Sequence, residues 1–176
     1  MTTPPDFVAG QVLTAAQLNQ AGLWLVKTQT IGTGVASVVV PNAFTTDFET
    51  YKVVIEGGAG SGVGQFGLTL GSTVTGYYSS VVYSTYAAGT VAGIAGGSVS
   101  IPYSGTFDGA RIHMDMTIHN PFNTKYTLFN GAFVNVDAQG TVGGVLANST
   151  SYTAFTLTCA TGTVTGGVIR VYGYRE

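Results

Sequence analysis

The chain has 176 residues, a length that suits one domain with a substantial core. Only 8% of the residues are charged, the net charge is −2 and the six Lys and Arg are scattered, which excludes nucleic-acid binding through a basic cluster. The hydrophobic content of 45% is broken up by Gly, Thr and Ser, so that no apolar run approaches the ~20 residues of a membrane-spanning helix.

Met1 to Asp6, with Pro4 and Pro5, reads as an extended arm, because consecutive prolines start neither a helix interior nor a strand ladder. Phe7 to Trp24 is the one segment patterned as helix. Thr14 suits an N-cap, Gln17 completes a capping box, Leu13 and Leu18 form a hydrophobic staple, and Gly22 suits the C-terminal stop. The helix expected over Ala15 to Ala21 is short, and helices below ~12 residues need tertiary packing. It must lean either on its own β domain or on a neighbouring subunit.

Everything after it is patterned as strand. Leu25 to Ile31 and Val35 to Val40, separated by Gly32-Thr33-Gly34, read as a hairpin. Phe44 and Phe48 read as anchors of the connection Asn42 to Thr50, and Tyr51, Val53 and Ile55 share one face of the next strand. Gly57 to Gly64 reads as the most flexible loop. Phe66 to Leu70 and Tyr77 to Tyr86 continue the alternation, whereas Ala87 to Gly97 is too poor in bulky residues for a core layer and reads as a surface loop. Ala110 to His119 is the clearest strand: Ile112, Met114, Met116 and Ile118 point inward, His113, Asp115, Thr117 and His119 outward, and Pro121 ends it. Lys125 to Asp137, Thr141 to Ala147, Thr153 to Cys159 and Val168 to Tyr174 complete ten or eleven strands. There is no room for βαβ crossovers, so the expected fold is all-β, an antiparallel β-sandwich of jelly-roll type with a short N-terminal α-helix. The expected division is an arm and helix over 1–24 and a sandwich over 25–176.

Chemistry-bearing patterns are sparse. The run Gly57-Gly58-Ala59-Gly60-Ser61-Gly62 lacks the lysine and following helix of a phosphate-binding loop. His113 and Asp115 share a face, but His119 lies about 20 Å from His113 at strand rise, too far for a three-ligand metal site. No GxSxG elbow accompanies the two histidines, and none of the carboxylates sits in a recognisable pair. The expectation is therefore a protein without catalytic residues, cofactor or metal. The lone Cys159 alternates with Thr156 and Thr158 and reads as a small core residue. Alternation also suits an outer-membrane barrel, but Met1 to Pro5 has no basic n-region and no apolar h-region follows, so membrane insertion is not expected. Five tyrosines, Tyr77, Tyr78, Tyr83, Tyr86 and Tyr103, flank the Gly/Ala-rich loops; an apolar ring with a polar tip suits sugar faces and protein interfaces as well as ordinary strand positions.

Two segments carry a family resemblance. DFVAGQVLTAAQLN, Asp6 to Asn19, is similar to the short N-terminal signature of many tailed-bacteriophage virion proteins of minor tail, tail-fibre or head-fibre type, and GGVIRVYGYRE, Gly166 to Glu176, resembles the closing strand of the same β-rich proteins. The resemblance implies a structural component on the phage particle surface, in contact with other virion proteins of tail or capsid and with itself as a homotrimer. The N-terminal segment, with Phe7, Val12, Leu13, Leu18, Leu23 and Trp24, is then the attachment peg. Three roles stay open: a tail-tip or fibre protein facing the host cell surface, a capsid decoration protein, and an adhesin that binds host glycan or protein through the tyrosine-flanked loops.

Overall fold

The computed structural model describes residues 22–96 and 99–174. Its strands are β1 (Leu23–Thr30), β2 (Ser37–Val40), β3 (Thr50–Glu56), β4 (Ala59–Gly60), β5 (Gly64–Leu70), β6 (Tyr77–Thr85), β7 (Val91–Gly96), β8 (Ile101–Phe107), β9 (Ile112–His119), β10 (Thr127–Val134), β11 (Ala138–Leu146), β12 (Phe155–Cys159), β13 (Val164–Thr165) and β14 (Val168–Tyr174). No helix occurs among the described residues, and the helix expected over Ala15 to Ala21 lies outside them. Every strand pairing is antiparallel.

The strands run side by side as β1-β14-β3-β9-β10-β11-β6-β7 and as β2-β12-β5-β8, the two rows meeting where Thr106 and Phe107 of β8 pair with His113 and Ile112 of β9. The inner faces of both rows contribute to one core, as period-two alternation requires. On β9 the inward set Ile112, Met114, Met116 and Ile118 is buried, in the register expected from sequence. Tyr51, Val53 and Ile55 of β3 and Ile169 and Val171 of β14 continue that floor; Phe66, Leu68 and Leu70 of β5 and Phe155 and Leu157 of β12 come from the shorter row. Each such side chain contributes roughly 1.5–3 kcal/mol on burial. Cys159 is buried at the end of β12, and burial pushes its thiol pKa up. Phe44 and Phe48 anchor their connection as expected: Phe44 meets Tyr51 edge-on at 4.9 Å, and Phe48 meets it at 6.0 Å.

Glycines in the strands make room for rings. Phe129 and Phe133 of β10 stand opposite Gly144 and Gly140 of β11. A Cβ on Gly144 would come 2.7 Å from Phe129 Cζ and closer still to the Tyr78 carbonyl, so each ring lies over a position that only glycine leaves open.

Three expectations are corrected. Leu25 to Ile31 and Val35 to Val40 do not form a hairpin: β1 pairs with β14 and β2 with β12. A Gly-Thr-Gly link can cross between sheets as readily as turn within one, and here it does so, with Gly166 N–H donating to the Gly32 carbonyl at 2.9 Å. Gly57 to Gly64 is not a free loop, because β4 within it pairs with β13. Its glycines serve close approach, since a Cβ on Gly60 would run into the Phe107 ring. Ala87 to Gly97 likewise contains β7, paired along β6 from Ser84↔Val91 to Ser79↔Gly96. Lack of bulky residues removed the signature of a core strand there but not the capacity for backbone pairing. Leu23 and Trp24, placed with the N-terminal arm by their sequence, open β1 opposite Tyr174 and Gly173.

Candidate functional site

The five tyrosines part company. Tyr77 is a core residue, 1% exposed, and offers no surface; its hydroxyl accepts from Leu70 N–H at 2.8 Å and donates to the Thr73 carbonyl at 3.3 Å, and burial pushes its pKa up to about 12. Tyr78 projects from the outer face of β6, and Tyr86 is exposed just beyond its end. Tyr83 and Tyr103 converge. They line one cleft of about 370 Å³ together with Phe133, Gln65, Thr85, Thr106, Asn135 and Thr161. A second, shallower groove of about 530 Å³ lies on the outer face across β9, β10, β11, β6 and β7, lined by His113, Val82, Val91, Val134 and Thr141 among others.

The cleft is shaped by an irregularity in β8. Phe66 pairs with Gly105 and Leu68 with Ile101, so the single β5 residue Gly67 faces Pro102, Tyr103 and Ser104. That is a bulge, a device that bends a strand and re-aims its side chains. Pro102 brings no N–H to the broken ladder. The buried Ser104 hydroxyl donates to the Phe66 carbonyl at 3.0 Å. Among the described residues three non-glycine residues have positive φ, and two are asparagines, which tolerate it; the third is Tyr103 at φ 49°. Holding a tyrosine there costs of order 1–3 kcal/mol. The strained backbone sets the Tyr103 ring 4.9 Å from Phe133, with 33° between the planes.

Around this aromatic wall the polar groups divide into structural and spare. The Thr106 hydroxyl is used internally, donating to the Val134 carbonyl at 2.8 Å. Asn135 Oδ1 accepts from the Asp137 and Ala138 N–H groups at 2.9 Å each and so builds the β10–β11 turn, which leaves its amide nitrogen over. The Gln65 amide and the hydroxyls of Tyr83 and Tyr103 make no hydrogen bond among the described residues. No charged side chain lines the cleft.

The outward histidine row is held by neighbours on β3. Asp115 forms an ion pair with Lys52, and His119 Nδ1 lies 3.1 Å from Thr50 Oγ1. His113 faces the outer groove, its pKa lowered by desolvation against a smaller upward pull from Asp115. Among the described residues no group of three potential metal ligands forms. Of the peg residues, Phe7, Val12, Leu13 and Leu18 lie outside the described residues.

No family model, curated protein or solved structure matches the chain. The site's meaning therefore rests on its chemistry: an uncharged cleft with two tyrosine rings, a phenylalanine and four spare hydrogen-bonding groups, on Gln65, Asn135, Tyr83 and Tyr103. Sequence reasoning found the two tyrosines but missed Gln65, Asn135 and Phe133. The sequence reading placed no strand over Ile101–Phe107, so the bulge in β8 went unseen; Pro102, which sits in strands only at edges or bulges, is the local signal there.

Proposed function

We propose that the chain is a non-enzymatic structural protein of a tailed-phage particle, of minor tail or tail-fibre type, presenting a jelly-roll β-sandwich to the host surface. The observation that carries the fold part of this reading is strand order. Taking β1, β2, β3, β5, β8, β9, β12 and β14 as eight successive strands, the first neighbours the last, the last the third and the third the sixth, while the second, seventh, fourth and fifth adjoin in that order. Such an order belongs to jelly rolls, an architecture of viral shells and lectins. The β6–β7 and β10–β11 hairpins then extend one sheet. The resemblances at Asp6 to Asn19 and Gly166 to Glu176 supply the phage assignment, and Val168–Tyr174 of the second form β14, between β1 and β3.

A capsid-decoration role is the second reading, favoured by one observation. No charged residue occurs between Glu56 and Asp108 or between Asp137 and Arg170. The outer face over β11, β6 and β7 is therefore uncharged and exposes Tyr78, Val82 and Val91, a surface suited to lying against a lattice or against other copies in a homotrimer. Quantitative gels of purified particles separate the two: many copies per virion favour the capsid, few favour the tail tip, and absence from particles overturns both. Deleting residues 1–21 should abolish incorporation while leaving the cooperative melt of the β domain. Incorporation without that segment would remove the peg.

A further inference from the structure

We propose that the cleft between β5, β8 and the β10–β11 turn is a binding site for a neutral saccharide. The proposal gives the host-surface contact a chemistry and rests on that reading for the source of the sugar. The cleft's own features decide the ligand class. Its wall is aromatic, with Tyr83, Tyr103 and the Phe133 ring packed against Tyr103, and aromatic faces suit the C–H side of a pyranose ring. Its spare hydrogen-bonding groups are a complete amide on Gln65, the amide nitrogen of Asn135 and two phenolic hydroxyls. Amides and hydroxyls pair with vicinal sugar hydroxyls in both directions, donating and accepting. The absence of Lys, Arg, Asp, Glu and His from the lining removes what would hold a phosphate, a sialic acid or an amine. The volume of about 370 Å³ falls at the lower end of ligand pockets, on the scale of one or two sugar rings.

The strain at Tyr103 is the second line of argument. A tyrosine at φ 49°, inside a bulge that sets three β8 residues against one of β5, runs against local backbone preference. Such outliers collect where a side chain must be aimed at a ligand. Regular pairing of β8 would return Tyr103 to the alternation of the strand and dissolve the wall.

Saturation-transfer NMR of the full chain tests this with maltose, cellobiose, lactose and diacetylchitobiose as neutral probes and sialyllactose as the anionic control. At least one neutral sugar should show transfer at millimolar concentration. Tyr103→Asn keeps a residue that tolerates the left-handed backbone and should weaken that binding at least tenfold. Gln65→Ala, which removes no internal side-chain bond, should weaken it severalfold and carries the test if Tyr103→Asn fails to fold. Tyr78→Ala and Tyr86→Ala, outside the cleft, should leave it unchanged. No transfer from any neutral sugar, or binding indifferent to both cleft variants, overturns the proposal. A protein that binds sugar but is absent from purified particles keeps the cleft and loses the virion reading; a particle component with a silent cleft does the reverse.

Discussion

Gly143 and Gly144 are neighbours on β11 and should respond oppositely to a single methyl group. A Cβ at Gly144 points inward, 2.7 Å from Phe129 Cζ, 2.8 Å from Ser79 Cα and closer to the Tyr78 carbonyl, and two of those three atoms are backbone of β6. Backbone inside a paired ladder cannot step aside, so Gly144→Ala forces β11 from β6 or displaces the Phe129 ring from the core. Overpacking of this kind typically costs about 1–3 kcal/mol. At roughly 2–4 °C per kcal/mol for a chain of this size, the melting temperature should fall by roughly 2–12 °C. At Gly143 the nearest atom to an added Cβ is the Phe129 carbonyl at 3.9 Å, an ordinary contact on the outer face. Gly143→Ala should stay within about 0.5 kcal/mol of the parent, or gain up to ~1 kcal/mol because alanine restricts the unfolded chain. Thermal melts by circular dichroism, at matched concentration, read both. Equal shifts, or a greater loss at Gly143, would mean that the faces of β11 are reversed and that Phe129 does not lie over Gly144.

Other expectations follow from the same register. Met114→Asp should abolish the cooperative transition, because Met114 is 2% exposed and a carboxylate there has no partner, whereas His113→Ala on the outer face should cost less than about 1 kcal/mol; comparable losses would refute the β9 alternation. Asp108, buried in the β8–β9 turn, has its pKa lowered chiefly by the Ala110 N–H on Oδ1 and further by Arg111, whose Nε lies 3.0 Å from Oδ2. A depressed folded pKa means stability that is present above the unfolded value, about 3.9, and lost as pH falls through the lowered one. The melting gap between the parent and Asp108→Asn should therefore be widest near neutral pH and close below about pH 3.9; a gap that persists at low pH would remove the charge from the argument. Size exclusion with light scattering should give a homotrimer, and a species at the monomer mass of 18.1 kDa at micromolar concentration would refute it.

The parts of the fold legible in the sequence are those set by local alternation against one core. β9 carries apolar residues at Ile112, Met114, Met116 and Ile118 with polar residues between, and burial follows that pattern directly. Pairing partners are a different kind of information. β1 and β14 lie at opposite ends of the chain, and the Gly32-Thr33-Gly34 link has no local feature that sends β2 to β12 rather than back on β1. β7 escaped notice because its stability comes from ladder hydrogen bonds to β6, and backbone groups leave no mark on composition.

The cleft was half legible for a related reason. Tyr83 and Tyr103 stand out as aromatic residues beside Gly-rich segments, yet Tyr77, with the same local credentials, is buried because its parity on β6 turns it inward toward Leu70 and Thr73. Parity along a strand separates Tyr77 from Tyr78, but it cannot place Tyr103, because the bulge at Pro102 to Ser104 resets the count. Gln65 and Asn135 reach the same cleft from β5 and from the β10–β11 turn, brought there by pairings remote in sequence. Their significance is visible only once internal partners are assigned, when the Asn135 oxygen is spent on the turn and the Gln65 amide is left unspent. Both amides are half-buried, so their spare groups face the cleft and whatever fills it. The backbone strain at Tyr103, held in a bulge that sets its ring against Phe133, is why the cleft reads as a site shaped for what enters it rather than as a gap between sheets.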